Sequence, residues 1–210
     1  MRGRFITLEG GEGVGKSTQA AMLGDTLRQR GFDVRLTREP GGTLGAEAIR
    51  ALLLGKDVDW GARAECLLFA AARADHVANV IVPAVEGGAW VVCDRFLDSS
   101  RAYQGGEGGL EDADILAAHT IGSNGLLPDC AILLQASEDA LIERLRARDG
   151  DNSDRIGGRP LEYHRKVAAR FQDFADQQPD RFLRIHAEGT PDDVHQRILQ
   201  GLAPLLDASQ

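Results

Sequence analysis

The sequence predicts an α/β fold in which helices cover both faces of a five-stranded parallel sheet. Short apolar runs with the length of buried strands recur along the chain, and helical patterns of apolar residues separate them. This alternation is typical of right-handed βαβ units, whose strands run parallel. The runs are Phe5 to Leu8, Val34 to Leu36, Trp90 to Cys93, Ala131 to Leu134 and Phe182 to Ile185.

A glycine-rich turn follows the first run with the spacing G-x-x-x-x-G-K-[ST], which Gly10, Gly15, Lys16 and Ser17 satisfy. An amphipathic pattern begins directly after this turn and predicts a helix that ends at Gly31. Backbone N–H groups of such a loop surround phosphate oxygens, while the lysine reaches the outer phosphates. The alternative is a turn that binds nothing, but strand, loop, lysine, hydroxyl and helix all agree. The sequence therefore predicts a P-loop NTPase fold, and its predicted ATP-binding residues are Gly10, Gly11, Glu12, Gly13, Val14, Gly15, Lys16, Ser17 and Thr18.

An acidic residue, Asp94, directly follows the apolar run from Trp90 to Cys93. This is the usual form of a Walker B strand, whose carboxylate holds Mg²⁺ opposite the hydroxyl of the phosphate loop. A strand followed by Asp is by itself more often a simple turn, and the phosphate loop is what favours the metal role. The predicted cofactor is therefore Mg²⁺, bound by Ser17 and Asp94, with ATP as co-substrate.

Length and charge restrict the possible classes of protein. A chain of 210 residues with 43% hydrophobic residues suits one domain, spanning residues 1–210, with a small mobile insertion. The net charge of −8 argues against a general nucleic-acid surface, which requires a basic stripe. It leaves nucleotide binding open, because a few local arginines can hold phosphates in an acidic protein.

Three features indicate a cytoplasmic protein. Cys66, Cys93 and Cys130 lie far apart without C-x-x-C spacing, so we expect them to be reduced and buried. The chain enters a predicted core strand at Phe5, so we expect no signal peptide. No apolar stretch approaches the ~20 residues that span a bilayer, so we expect no membrane contact.

Five further stretches carry distinctive motifs: Thr37 to Thr43, Leu68 to Arg73, Asp94 to Gly105, Leu127 to Asp129 and Asp154 to Ile156. At these stretches the chain resembles the thymidylate kinase family. Together with the phosphate loop, they extend the resemblance over nearly the whole chain in order. The phosphate loop alone is shared by many functions, whereas the middle stretches are specific to this family.

The resemblance implies a binding site for dTMP as the phosphoryl acceptor. Phe69 would stack on the pyrimidine, Arg38 and Arg95 would hold the 5′-phosphate, and Arg73 would contact base or phosphate. Guanidinium groups suit phosphate and an aromatic face suits a base. The implied dTMP-binding residues are Arg38, Glu39, Pro40, Phe69, Arg73, Arg95, Ser99, Ser100, Tyr103 and Gln104.

Acceptor choice is implied at the helix that follows Asp94-Arg95. Ser100 and Gln104 would hydrogen-bond the thymine edge, and Tyr103 would lie beneath the deoxyribose, where a 2′-hydroxyl would clash. For Phe69, the sequence without the resemblance favours core packing, because it follows Leu67 and Leu68.

A basic segment surrounds the loop-like stretch 149–154, and we predict a lid at about 144–160. Arg144 and Arg148 are four residues apart and share one face of a predicted helix, which could also be a solvated basic face. The phosphate loop carries Glu12 where an arginine could stand, which resembles the bacterial type, whose lid supplies the catalytic arginines. The implied catalytic residues are Glu12, Lys16, Arg95, Arg144, Arg148 and Arg155.

The resemblance implies transfer of the γ-phosphoryl group of ATP to dTMP, giving dTDP and ADP for dTTP synthesis. Two other functions stay open: another nucleoside monophosphate kinase of the same fold, and a phosphate-loop switch or regulatory ATPase. A GTP switch usually carries Asn-Lys-x-Asp, and no asparagine of this chain is followed by lysine.

The predicted helix from Ala62 to Val85 carries a stripe of small and apolar residues that includes Leu67 and Ala71. The stripe is either core or, as the family implies, the surface of a homodimer.

The histidines of the chain show no metal spacing, and we expect structural or surface roles for them. They are His76, His119, His164, His186 and His195.

Overall fold

The computed structural model describes residues 2–106, 109–137, 140 and 155–207. A five-stranded sheet with the order β2-β3-β1-β4-β5 forms the centre of the fold, and every pairing in it is parallel. The strands are β1 (Phe5–Glu9), β2 (Val34–Arg38), β3 (Trp90–Asp94), β4 (Cys130–Gln135) and β5 (Phe182–His186). The five strands predicted from apolar runs, and their parallel arrangement, are therefore confirmed.

The register of the sheet brings the strand ends that carry polar residues to one edge. Leu8 of β1 pairs with Asp94 of β3, and Arg38 of β2 pairs with the same Asp94. All residues of β1 are buried, since neighbours cover it on both sides and both faces. Ligands of parallel sheets bind beyond the carboxyl ends of the strands, so this register places the site next to Glu9, Arg38 and Asp94.

Helices cover both faces of the sheet. One buried apolar cluster joins Leu23 of the first helix and Ile198 of the last helix to one face, and another joins Ile81 and Ile115 to Phe5 and its neighbours. The helices are α1 (Lys16–Gln29), α2 (Leu44–Leu54), α3 (Ala62–His76), α4 (Val82–Glu86), α5 (Leu97–Gln104), α6 (Asp112–Ser123), α7 (Leu161–Gln177) and α8 (Pro191–Asp207). A π-helical turn at Val77–Ile81 joins α3 to α4.

The continuous helical segment Ala62–Glu86 is long and apolar enough to cross a membrane by length and composition. The expectation that no apolar stretch approaches this length was wrong. Three polar side chains on the segment, those of Glu65, Arg73 and His76, are buried and hydrogen-bonded to other parts of the chain. Buried polar side chains with hydrogen-bond partners are typical of a helix that packs one face against a protein core.

The predicted lid lies largely outside the described residues, and so do Arg144 and Arg148. Its described part begins at Arg155 and continues in a turn to Pro160, before α7. The cysteines are free; Cys66 and Cys93 are buried as expected, and Cys130 is half-buried.

Candidate active site

The phosphate loop, between β1 and α1, has a backbone that only glycine adopts easily. Gly10 has φ 133° and Gly15 has φ 96°, both in the region that disfavours other residues. A Cβ at Gly10 would lie 2.5 Å from the carbonyl oxygen of Leu134, so space forbids a side chain there as well. The loop therefore curls closely against β4 before α1 begins at Lys16.

Lys16 is held inside this loop. Its Nζ donates hydrogen bonds to the carbonyl oxygens of Gly10 at 3.1 Å and Gly11 at 2.5 Å. Burial, with a smaller contribution from the nearby charge of Arg95, lowers the pKa of Lys16 to about 8. The ammonium group is thus a desolvated positive charge at the start of a helix, where phosphate oxygens are bound in this loop type.

The residues predicted to hold Mg²⁺ lie together at the ends of α1 and β3. Ser17 Oγ donates to Asp94 Oδ2 at 2.5 Å, and Asp94 Oδ1 is buried without a hydrogen-bond partner among the described residues. Hydroxyl and carboxylate oxygens suit a hard divalent cation. The described chain holds no cluster of three or more His, Cys, Asp or Glu side chains for a metal. The hydroxyl of Ser17 and the carboxylate of Asp94 fit Mg²⁺, which usually keeps waters and substrate phosphates as its other ligands.

Arg95 connects the phosphate loop to α5. It has φ 71° and donates to Gly10 O and Ser99 Oγ, each at 3.2 Å. Its Nη2 donates to Glu12 Oε1 at 2.5 Å and to Tyr103 Oη at 3.2 Å. The carboxylate of Glu12 is the main cause that raises the pKa of Arg95 against the opposing effect of burial. Glu12 and Arg95, which sequence reasoning treated separately, form one ion pair.

Glu9, at the end of β1, is buried beside this pair. Ser99 Oγ donates to Glu9 Oε2 at 2.6 Å, while Oε1 has no partner in the part of the chain that the structure describes. Burial, and then the charge of Asp98, raises the pKa of Glu9 to about 8. Its position at a strand end was the only signal for it in the sequence.

A buried cluster supports the acceptor end of the site. Glu39 Oε2 accepts from Arg73 Nε at 2.8 Å, and Glu39 Oε1 lies 3.0 Å from His76 Nδ1. Arg73 also donates to Ser100 Oγ at 2.7 Å. His76 Nε2 lies 2.7 Å from Thr37 Oγ1. These contacts hold Arg73 between α3 and α5, so its guanidinium group is fixed at the acceptor end of the site before any ligand binds.

Two arginines of the acceptor end lie closer to the surface. Arg38, with a side chain 56% exposed, is paired with Glu47 at 3.2 Å. Arg50 on α2 donates to the carbonyl oxygen of Pro40 at 2.8 Å and was missed by sequence reasoning, because it lies outside the motif stretches.

Most of these side chains line one cavity of about 680 Å³. It runs from the phosphate loop to the acceptor helices, and the structure thus brings the two predicted halves together. The predicted site residues that line it are Glu12, Gly13, Gly15, Lys16, Ser17, Thr18, Arg38, Glu39, Pro40, Phe69, Arg73, Asp94, Arg95, Ser99, Ser100, Tyr103 and Gln104. Residues that sequence reasoning did not assign to the site also line it: Arg50, Leu54, Phe96, Ile156 and Gly157.

Four described residues of the predicted site do not line this cavity: Gly10, Gly11, Val14 and Arg155. The two glycines contribute their carbonyl oxygens to Lys16, and Val14 is buried in the core. Arg155 instead donates to the carbonyl oxygen of Leu53 at 2.9 Å and to Glu65 Oε2 at 2.6 Å.

Comparisons with known proteins agree with this geometry. The family model described as "Thymidylate kinase" matches residues 8–198. The thymidylate kinase of Rhizorhabdus wittichii is 58% identical over 98% of this chain and 100% of its own length. The chain belongs to the thymidylate kinase family.

A second relative and a solved structure extend this likeness. The thymidylate kinase of Gluconobacter oxydans is 47% identical over 96% of this chain and 94% of its own length. The crystal structure of thymidylate kinase from Ehrlichia chaffeensis superposes with a TM-score of 0.77 at 30% identity. It covers 97% of this chain and 99% of the other. The predicted family and fold class are confirmed.

Proposed function

We propose that this chain transfers the γ-phosphoryl group of ATP to dTMP, giving dTDP and ADP. The observation that carries the proposal is the single cavity that joins Lys16 and its loop to Arg38, Arg73 and Phe69. A donor triphosphate and an acceptor nucleotide bound at its two ends would meet near Arg95. The names of the relatives point to the same reaction.

Positioning and charge would supply the catalysis. The acceptor is already an anionic phosphate oxygen, so in-line transfer needs no strong general base. Lys16 would hold the transferring phosphoryl group and Arg95 would hold the acceptor phosphate. Glu12, paired with Arg95 at 2.5 Å, would set the direction of its guanidinium fork. Arg38 would complete the phosphate contacts from β2.

Ser17 and Asp94 would hold Mg²⁺ between them. When bound, this ion would neutralise charge on the β- and γ-phosphates. The unpartnered Asp94 Oδ1 supports this assignment, since a buried carboxylate oxygen requires a positive or donating partner.

The acceptor base would lie against the face of Phe69, which is half-buried and packs on the core beneath the cavity. Core packing and base stacking are thus compatible for this side chain. Pro40 and Glu39 would form the wall of the cavity on the side of β2. Ser99 would hold the guanidinium group of Arg95 in place by accepting a hydrogen bond from it.

We further propose one domain over residues 1–210, with a lid at about 144–160 that supplies Arg144 and Arg148 to the transferring phosphoryl group. Arg155 would act at the base of this lid. Its bonds to Leu53 and Glu65 support an anchoring contribution.

A homodimer is the proposed assembly. Leu44 and Ile121 are 95% and 87% exposed, and Leu67 on α3 is 63% exposed. The stripe on α3 is therefore largely outside this chain's own core. Exposed apolar groups on three neighbouring helices support burial against a second copy.

We also propose a cytoplasmic location without nucleic-acid or membrane partners, which the net charge of −8 and the free cysteines support.

The function is tested by measuring ADP release with ATP, Mg²⁺ and each nucleoside monophosphate in turn. We expect dTMP to give the highest kcat/KM, and EDTA to remove turnover. ADP release that is independent of any acceptor would instead favour a regulatory ATPase. A higher kcat/KM with another nucleoside monophosphate would favour a different kinase of the same fold.

Tyr103→Ala is expected to reduce the preference for dTMP over UMP, because the ring would lie where a 2′-hydroxyl clashes. The ratio of kcat/KM values for the two acceptors is the readout, since loss of the Tyr103–Arg95 contact also lowers both rates. Tyr103→Phe keeps the ring and should keep the ratio. An unchanged ratio in Tyr103→Ala would show that this ring does not exclude the 2′-hydroxyl.

The pH dependence should follow Lys16 and Glu9. With a pKa of about 8, Lys16 is charged below this pH and loses its charge above it. Glu9, with a pKa also of about 8, gains negative charge over the same range. Both changes weaken the binding of a polyanion, so kcat/KM for ATP should fall as pH rises through about 8. The fall should persist in Glu9→Gln, and a flat profile between about pH 7 and 9.5 would contradict the role of Lys16.

A further inference from the structure

Glu65, on α3, lies behind the acceptor end of the cavity and takes part in three hydrogen bonds. Its Oε1 accepts from Gln104 Nε2 at 3.0 Å. Its Oε2 accepts from Arg155 Nη2 at 2.6 Å and from Arg159 Nη2 at 2.7 Å. The side chain of Glu65 is only 3% exposed, so these partners rather than water satisfy its charge.

The chemistry of these contacts determines the orientation of the Gln104 amide. A carboxylate held by two guanidinium groups has no proton to donate, so Gln104 must turn its NH₂ group toward Glu65. Its carbonyl oxygen is then left over. This Oε1 is buried without a hydrogen-bond partner among the described residues, and Gln104 lines the cavity. A buried acceptor without a donor is unfavourable, so a ligand that brings an N–H group would satisfy it.

We propose that Glu65 is a positioning residue that sets base specificity by holding the Gln104 carbonyl as an acceptor toward the cavity. The inference rests on the proposed function and deepens it. Thymine and uracil carry an N–H donor at ring position 3, whereas cytosine has a bare nitrogen there, which is itself an acceptor. An acceptor fixed in the protein therefore favours the first two bases and disfavours cytosine.

The two arginines make this arrangement sensitive to one substitution. In Glu65→Gln the introduced amide has a single oxygen, and Arg155 and Arg159 can only donate, so they would retain that oxygen. The introduced NH₂ group would then face Gln104. Gln104 would rotate its amide to accept from it and would present its own NH₂ group to the cavity. The donor–acceptor pattern offered to the base would be reversed.

The experiment measures kcat/KM for dTMP, dUMP and dCMP in the wild-type chain and in Glu65→Gln. We expect the dTMP-to-dCMP ratio of kcat/KM values to fall by about tenfold or more, because a buried hydrogen-bond mismatch between protein and base strongly lowers kcat/KM. The dTMP-to-dUMP ratio should stay unchanged, since the two bases share the same hydrogen-bonding edge. An equal loss on all three acceptors, or no change in either ratio, would overturn the proposal.

Matched variants separate positioning from general support of the fold. Arg159→Gln removes one ion pair from Glu65 but keeps the bond to Gln104, so the dTMP-to-dCMP ratio should be retained. In the Gln104→Ala background, Glu65→Gln should no longer change that ratio. If Glu65→Gln does not fold, Glu65→Asp should preserve the ratio and Glu65→Met should lower it; a ratio unchanged in Glu65→Met contradicts the proposal.

Failure of this inference is distinct from failure of the proposed function. A wild-type chain that does not phosphorylate dTMP refutes the proposed function itself. A wild-type chain that does so, with acceptor ratios insensitive to Glu65→Gln, refutes only the role of Glu65.

Discussion

Lys16→Ala is expected to lower kcat by at least about 10²–10³-fold, the usual loss for one preorganised group that stabilises transition-state charge. Lys16 is buried in the phosphate loop, and its Nζ is held by two loop carbonyl oxygens. No other lysine lines the cavity formed by the described residues. The measurement is ADP release with ATP and dTMP, alongside thermal unfolding to show that the variant is folded.

Lys56→Ala is the matched control, because Lys56 is exposed between α2 and α3. It should leave kcat unchanged. Near-normal turnover in a folded Lys16→Ala protein would contradict the assignment of Lys16 to the phosphate site.

Arg148→Ala should lower kcat by about 10²-fold or more, toward the contribution that an arginine finger makes to kcat. The KM for dTMP should change much less. Arg148 lies outside the described residues, so the prediction rests on the sequence of the proposed lid. The phosphate loop carries Glu12 instead of an arginine, and Glu12 is already paired with Arg95. Transition-state charge therefore requires a donor from elsewhere, and a group used only at closure affects kcat more than binding.

Arg148→Lys should restore only part of the lost rate, because an ammonium group lacks the bidentate fork. If Arg148→Ala keeps kcat and merely raises the KM for ATP, Arg148 is a ground-state binding residue. The catalytic charge would then come from Arg144 or Arg155.

The elements of the fold were predictable because their signals are local. Apolar runs such as Phe5 to Leu8 and Ala131 to Leu134 are each followed by a polar residue, and the structure shows strands at both. The phosphate loop has fixed spacing, so Lys16 and Ser17 followed directly from it. Family resemblance supplied what periodicity does not, such as a contact of Phe69 with the cavity.

What could not be predicted depends on contacts between residues far apart in sequence. Glu65 and Gln104 are 39 residues apart, and nothing local to either indicates a hydrogen bond between them. The same holds for Glu12 and Arg95, 83 residues apart. For His76 we expected a structural or surface role. It is buried against Glu39 because α3 passes behind the end of β2. Arg155 was assigned to the lid by its place after the loop-like stretch and by the family resemblance, whereas its bonds to Leu53 and Glu65 require the folded chain.

The most direct test of the account follows the label from γ-labelled ATP in the presence of Mg²⁺ and dTMP. Transfer between two nucleotides in one cavity predicts that the label appears in dTDP, with one ADP formed for each dTDP. It also predicts little ADP release when dTMP is omitted. Label found in inorganic phosphate at the same rate with and without dTMP would contradict the account.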